Sequence, residues 1–177
     1  VVDMKALVKD GELKTLDSNG TFTEVPATAP DVDYYQSLDA DSFISDPVSV
    51  DYNLDFSADA VYFGTVQGDS TTGWGGKLRR VEIGNDMNTL NWTGDSTLAD
   101  SGQPIVAAPN VGIDDKGKRW VYFGTGRYFV DEDESIADQQ SYFGVIEPFT
   151  DSDSDGFMDT GESLSWSTVD PSSDLID

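Results

Sequence analysis

Short apolar segments separated by turns of glycine and aspartate recur along the chain and predict an all-β protein. The segments are rich in β-branched and aromatic residues, and none is long enough to show the 3.6-residue apolar period of a helix. The expected strands cover 47–50, 60–65, 77–83, 89–93, 105–111, 119–125, 142–147 and 163–167. The one helical signal is a single turn within 133–140. We therefore expect short antiparallel strands with almost no helix.

Two groups of four strands repeat each other. Residues 61–65 and 121–125 share the sequence Val-Tyr-Phe-Gly-Thr, and Leu-x-Trp recurs at 90–92 and 164–166. Four short antiparallel strands per repeat are typical of β-propeller blades. The N-terminal stretch matches only the last two strands of this plan. The chain is thus predicted to form a partial β-propeller of about two and a half blades, with a small open β-sandwich as the alternative.

This plan divides one domain into five segments. They are the last two strands of a blade (1–18), a connecting segment (19–46), a blade with a calcium loop (47–93), a blade with a second such loop (94–168) and a tail (169–177). A propeller ring needs about four blades or more, so we expect further chain or another copy to complete it. The strand-like first residues also favour a fragment of a larger protein.

The first acidic loop places oxygen-bearing side chains on alternate residues before an apolar strand. The candidate ligands are Asp51, Asn53, Asp55, Ser57 and Asp59. Oxygen donors that converge on one point select a hard cation, and a tight loop of this kind predicts calcium. The alternative is a solvated acidic turn, which is common in an acidic chain.

The second acidic loop, 151–162, follows the spacing of an EF-hand calcium loop. Its candidate ligands are Asp151, Asp153, Asp155, the carbonyl of Phe157, Asp159 and Glu162. Gly156 at the sixth position permits the sharp turn, and the glutamate at the twelfth can contribute both oxygens. Because strands rather than helices flank the loop, we expect the ion to stiffen a connection. Millimolar extracellular calcium would fill even a weak site, so both loops favour a location outside the cytoplasm.

The charge of the chain limits its partners. It has 34 acidic and 10 basic residues, a formal charge of −24, which repels nucleic acid and anionic lipid and is relieved by bound cations. Cysteine and histidine are both absent, which excludes disulfides, thiolate and histidine metal sites and the commonest catalytic base. No apolar run reaches the length of a membrane span.

Other chemistry-bearing residues favour structural roles. The acidic run 131–138 is interpreted as a solvated loop rather than a catalytic pair, so we do not expect an enzyme. Arg127 is predicted to clamp a loop, because guanidinium can bridge a carboxylate and backbone carbonyls. Trp74 lies between glycines and is the best candidate for a surface aromatic residue that stacks on sugars.

A series of motifs between residues 41 and 147 resembles the PilY/PilC family of type IV pilus tip-associated biogenesis factors and adhesins. The motifs are Ser-Asp-Pro at 45–47, the loop 51–59, the strand 61–65, Gly-Lys-Leu-Arg-Arg at 76–80, Gln-Pro-Ile-Val-Ala-Ala-Pro at 103–109, and Phe-Gly-Thr-Gly-Arg-Tyr at 123–128 followed by Asp133, Gln140, Tyr142 and Gly144. The loop 151–162 lies outside this resemblance.

The resemblance implies a modified β-propeller at the C-terminal end of a larger secreted bacterial protein at the pilus tip. It implies that calcium in the loop 51–59 regulates pilus extension and retraction, and that minor pilins and a host or abiotic surface are the partners. Two alternatives stay open. One is a calcium-dependent carbohydrate-binding module that uses Trp74, and the other, less favoured, is a propeller enzyme similar to quinone-dependent dehydrogenases.

Overall fold

Three antiparallel sheets make up the computed structural model, in which no α-helix occurs among the residues described. These are residues 6–9, 12–16, 22–24, 42–52, 54, 56, 58–83, 92–129, 131–135, 137–157, 162–165 and 167–170. The strands are β1 (Ala6–Lys9), β2 (Glu12–Leu16), β3 (Phe22–Glu24), β4 (Ser42–Ile44), β5 (Val48–Val50), β6 (Ala60–Asp69), β7 (Gly73–Gly75), β8 (Lys77–Ile83), β9 (Trp92–Asp100), β10 (Asn110–Ile113), β11 (Arg119–Gly124) and β12 (Tyr142–Ile146). The all-β prediction is confirmed.

The long strand β6 organises the largest sheet. Strands β4 and β5 pair with successive parts of one edge of β6, and β7 and β8 pair with successive parts of the other edge. Strand β9 then pairs with β8, and every pairing is antiparallel. The sheet is therefore four strands wide, the number expected for one blade: β4 and β5 share the first position and β7 and β8 share the third.

The second sheet has three strands, in the order β10-β11-β12. The expected fourth strand at 163–167 is wrong: Leu164 makes only an isolated bridge to Phe149. The chain instead returns to the first sheet, where Val169 donates its N–H to the Leu98 carbonyl at 2.6 Å. Val169 is buried against the first sheet, and burial of its apolar side chain favours this path.

Other strands differ from the sequence prediction in their bounds. The strand expected at 105–111 forms only from Asn110, because Pro104 and Pro109 lack the N–H that a ladder needs. Of the strand expected at 89–93, residues 92 and 93 belong to β9, and 89–91 lie outside the described residues. The segment 19–46, expected to be a connection, contains β3 and β4. The predicted helical turn is a 3-10 helix at Asp131–Ser135.

The largest sheet, called the first sheet here, and the second sheet, β10-β11-β12, share one hydrophobic core. Its buried members come from β6, β8 and β9 on one side and from β11 and β12 on the other. They include Ala60, Tyr62, Leu78, Leu98, Ile105, Val121, Phe123 and Val145. The alternating positions Val121 and Phe123 show that one face of β11 points into this core. The core therefore fixes the second sheet against the first.

A buried ion pair also joins the two sheets. Arg80 on β8 and Glu147, the residue after β12, form a salt bridge in which both side chains are 0% exposed. The Tyr62 hydroxyl donates to Glu147 Oε1 at 2.5 Å, and Arg80 Nη2 donates to Ser96 Oγ at 3.0 Å. Each buried charge is thus paired and hydrogen-bonded, as burial requires.

Tyr52, in the first acidic loop, and Arg119, on β11, extend this network. The Tyr52 hydroxyl shares a hydrogen bond with the Tyr62 hydroxyl, and the Arg119 guanidinium lies over the Tyr52 ring at 3.6 Å from its centroid. Burial raises the pKa of Glu147 and raises the pKa of Tyr52 to about 12. Burial, followed by the charge of Glu147, also raises the pKa of Tyr62. Removing one partner of the ion pair should cost about 3–5 kcal/mol, since the other charge would stay buried alone.

Gly64 on β6 gives a first test of this packing. A Cβ atom at this position would lie 2.2 Å from Ile105 Cγ2 and 2.7 Å from the Ile105 carbonyl oxygen. We expect Gly64→Ala to lower the free energy of unfolding by about 1–3 kcal/mol, the usual cost of overpacking. Gly112→Ala is the control, because the added Cβ would meet only Tyr122 Cε2 at 3.9 Å. Equal stability of the two variants in urea unfolding would contradict the close approach.

Alkaline stability tests the tyrosine pair. Because the pKa of Tyr52 in the folded chain is about 12 and its ordinary value is 10, the folded chain keeps a proton that the unfolded chain releases above pH 10. Tyr62 shifts in the same direction, so stability should fall as the pH rises through this range. We expect the melting temperature of Tyr62→Phe to fall less steeply with pH than that of the wild type. Tyr142→Phe, at an exposed site, should keep the wild-type slope, and identical slopes for all three proteins would refute the network.

Candidate metal centre

The second acidic loop is the end of a short hairpin. Thr150 donates its N–H to the Ser163 carbonyl at 2.9 Å, and Ser165 donates to the Pro148 carbonyl at 2.8 Å. Phe149 and Leu164 form an antiparallel bridge between these contacts. The backbone therefore brings the first and last residues of the loop 151–162 together, as a site with ligands from both ends requires.

Three carboxylates converge at the start of this loop. Asp151, Asp153 and Asp155 each offer one oxygen, and the three oxygens lie within 4.8 Å of one another. The Oδ1 atom of Asp151 is buried and accepts no hydrogen bond from the described residues. A buried carboxylate oxygen without a donor is costly, and a bound cation would remove that cost.

Hydrogen bonds inside the loop set the turn. Gly156 donates its N–H to Asp151 Oδ2 at 3.0 Å and has a φ of +80°, which a glycine adopts without strain. Asp155 and Phe157 donate their N–H groups to the preceding carboxylates, Asp153 and Asp155 respectively. The chain thereby turns around the oxygen cluster, as expected from glycine at the sixth position.

Glu162 closes the loop from its other end. Its Oε1 atom accepts hydrogen bonds from the Ser152 N–H at 2.6 Å and the Ser152 hydroxyl at 2.9 Å. The carboxylate of Glu162 therefore lies beside the first residues of the loop, and Asp159 lies outside the described residues. Of the predicted set, the structure brings together Asp151, Asp153 and Asp155, with Phe157 on the same turn. Glu162 contacts Ser152 and is not a member of this carboxylate cluster.

The β10–β11 turn supports this hairpin from the side. Asp114 accepts the N–H groups of Lys116 and Lys118, both at 2.9 Å, and its hydrogen bond from the Trp120 indole lowers the pKa of Asp114. The lysine ammonium groups of this turn lie over the rings of Phe157 and Phe149, at 5.5 and 5.7 Å from the centroids. These cation–π contacts hold the loop against the second sheet.

The donor set fits calcium. Every candidate ligand is an oxygen, and a site with several carboxylates and a backbone carbonyl in a flexible loop suits calcium better than magnesium, which keeps most of its waters. Asp151, Asp153, Asp155, the Phe157 carbonyl and Glu162 would hold the ion. Calcium would compensate the mutual repulsion of carboxylates this close together.

The first acidic loop has a different geometry in its described residues. Both oxygens of Asp51 accept backbone N–H groups, from Leu54 at 2.7 Å and Phe56 at 2.8 Å, and Asp59 Oδ2 accepts the Tyr52 N–H at 2.6 Å. Three of the predicted ligands, Asn53, Asp55 and Ser57, lie outside the described residues. Asp51 and Asp59 thus shape the loop backbone, and calcium binding here stays a prediction.

Arg127 forms the predicted clamp. Its Nη2 atom lies 2.7 Å from Asp133 Oδ1, and its guanidinium lies over the Trp74 ring at 4.2 Å from the centroid. Asp133, interpreted from sequence as part of a solvated run, is only 6% exposed and also accepts the Phe129 N–H at 2.8 Å. The prediction that this acidic run is solvated is therefore wrong for Asp133, because the contact with Arg127 and the 3-10 turn bury its carboxylate.

The Arg80–Glu147 pair was not predicted from sequence. Acidic residues interspersed with the basic residues Lys77, Arg79 and Arg80 in the sequence favour local ion pairs instead. The sequence carries one signal, because Arg80 lies between the apolar residues Leu78 and Val81 of a predicted strand, and the structure buries residues 78–81. A charge inside a buried run needs a partner from elsewhere in the fold.

The geometry is that of an all-β chain built from antiparallel sheets. No protein-family model and no curated protein matches the chain. Among solved structures it is similar to the crystal structure of the Pseudomonas aeruginosa PilY1 C-terminal domain, with 23% sequence identity and a TM-score of 0.44. The likeness covers 76% of this chain and 31% of that chain, so this chain spans about a third of the solved domain.

Within the described residues, no helix has the length and apolar character needed to cross a bilayer.

Proposed function

We propose that this chain is a non-enzymatic, calcium-binding part of a type IV pilus-associated surface protein. The observation that carries the calcium site is the convergence of Asp151, Asp153 and Asp155, with a buried Asp151 oxygen that accepts no hydrogen bond within the described part of the chain. The order of motifs across 41–147 supports the pilus assignment. The partners we propose are minor pilins and the surface to which the pilus attaches.

Calcium acts on the fold through the hairpin that holds its ligands. Asp151 follows Glu147 by only three intervening residues, and the hairpin leads on to Val169 at the edge of β9. An ion that orders the loop therefore also orders the segment carrying the buried glutamate. Binding to the folded chain alone stabilises it, by about 2.7 kcal/mol at a calcium concentration of 100 times Kd.

The first acidic loop is the second proposed calcium site. It lies in the part of the chain that resembles the PilY/PilC family, with Asp51, Asn53, Asp55, Ser57 and Asp59 as its ligands. Tyr52 lies inside this loop, and its hydroxyl contacts Tyr62 in the buried network. Calcium at this loop would thus bias the same inter-sheet contact, which gives a physical route by which calcium could regulate pilus extension and retraction outside the cell.

Calcium titration by calorimetry, with thermal melts, tests this proposal. We expect two binding events, and we expect calcium to raise the melting temperature. Asp153→Ala should abolish the event at the second loop, because it removes one of three converging carboxylates, and Asp55→Ala should abolish the other.

The matched control is Asp115→Ala, which removes the same charge from an exposed position on the β10–β11 turn. It should keep both events. Absence of binding at millimolar calcium, or equal loss in the control, would show that the loops are only solvated acidic turns.

A further inference from the structure

A cleft of about 370 Å³ lies between the β6–β7 turn and the segment 126–140. It is separate from both acidic loops, since none of the proposed calcium ligands lines it. Its lining combines one aromatic ring with several polar side chains: Trp74, Ser70, Gln103, Arg127, Asp138 and Gln140. This size and mixture are typical of sites for small ligands.

The walls of the cleft are held by contacts between the two sheets. Gly126 donates its N–H to the Pro104 carbonyl at 2.7 Å, and Ile105 forms a bridge with Gly126. Gln103 donates from Nε2 to the Gln139 carbonyl at 2.9 Å and accepts from the Thr125 hydroxyl at 3.0 Å. The cleft is therefore largely preformed, which lowers the entropic cost of binding.

Trp74 is fixed in orientation inside this cleft. The Arg127 guanidinium lies over its ring, and the nearly buried Asp133 in turn holds the guanidinium at 2.7 Å. Gly126, at a φ of +126°, leaves room for the Gln140 side chain, which would lie within 3.4 Å of a Cβ at that position. Trp74 and Gln140 thus line the cleft together, and the Gln140 Nε2 atom donates to the Asp138 carbonyl at 3.0 Å.

The charges in the cleft exclude most ligand classes. An anion would meet the Asp138 carboxylate and a chain of charge −24, while the positive charge of Arg127 is already paired. An apolar ligand would bury the carboxylate and amide groups without partners. A cation on Trp74 would lie close to the like charge of Arg127, whose guanidinium already lies over that ring, whereas a neutral ligand would meet no such repulsion.

We propose that this cleft binds a neutral sugar residue of a glycan. Such a residue has an apolar C–H face that can pack on the part of Trp74 that lines the cleft, and hydroxyl groups that can donate to Asp138 and to the amide oxygen of Gln140. Binding does not depend on calcium, because the calcium loops lie elsewhere. The proposal is therefore independent of the proposed calcium sites.

Saturation-transfer NMR with the methyl glycosides of glucose, galactose, mannose and N-acetylglucosamine tests this inference. We expect at least one of them to show saturation transfer with the folded chain. Trp74→Ala should abolish the signal, and Asp138→Ala, a change at an exposed residue, should weaken it at least several-fold. Tyr142→Ala, which removes an exposed aromatic residue on the second sheet, should leave the signal unchanged.

Asp153→Ala separates this inference from the calcium proposal. The sugar signal should persist in that variant even though calcium binding at the second loop is lost. Absence of signal for all four glycosides with the wild type, or an undiminished signal in both Trp74→Ala and Asp138→Ala, would overturn the sugar site.

Discussion

The buried ion pair between Arg80 and Glu147 is the interaction on which the arrangement of the two main sheets depends. A charge buried without its partner costs several kcal/mol, so each of these residues fixes the position of the other. Arg80 belongs to β8 and Glu147 follows β12, and hence the pair sets the second sheet in place against the first. The surrounding apolar core supplies most of the favourable energy of packing, but apolar contacts are not directional. The ion pair is directional and therefore fixes how the two sheets are aligned.

Both acidic loops connect to this buried network. Tyr52, within the first loop, contacts Tyr62, which in turn donates to Glu147. The second loop begins shortly after Glu147 and is anchored by the hairpin between 148 and 165. A chain of charge −24 thus keeps its buried charges paired and gathers several exposed carboxylates into loops at the ends of these segments. Cations bound in the two acidic loops would therefore both stabilise segments that contact the buried network between the sheets.

Local features of the fold could be predicted from the sequence, and long-range ones could not. Strand β8 has its predicted bounds and β11 and β12 end within one residue of theirs, because apolar runs and glycine turns act locally. The turn that gathers Asp151, Asp153 and Asp155 is also local, since a glycine five residues on makes it. By contrast, Arg80 and Glu147 are 67 residues apart in sequence, and no periodicity indicates that they meet. The failed strand at 163–167 has the same cause, because a contact between Val169 and a distant strand redirects the chain.

A crystal structure of the chain grown with calcium, measured with anomalous scattering, tests the central claim most directly. The account predicts an anomalous peak in the second loop, with oxygens of Asp151, Asp153 and Asp155 about 2.3–2.6 Å from the ion. The peak should satisfy the buried Oδ1 atom of Asp151 and lie beside the carboxylate of Glu162. Density for water alone among these carboxylates, or a lysine ammonium in that place, would contradict the claim that this loop is a calcium site.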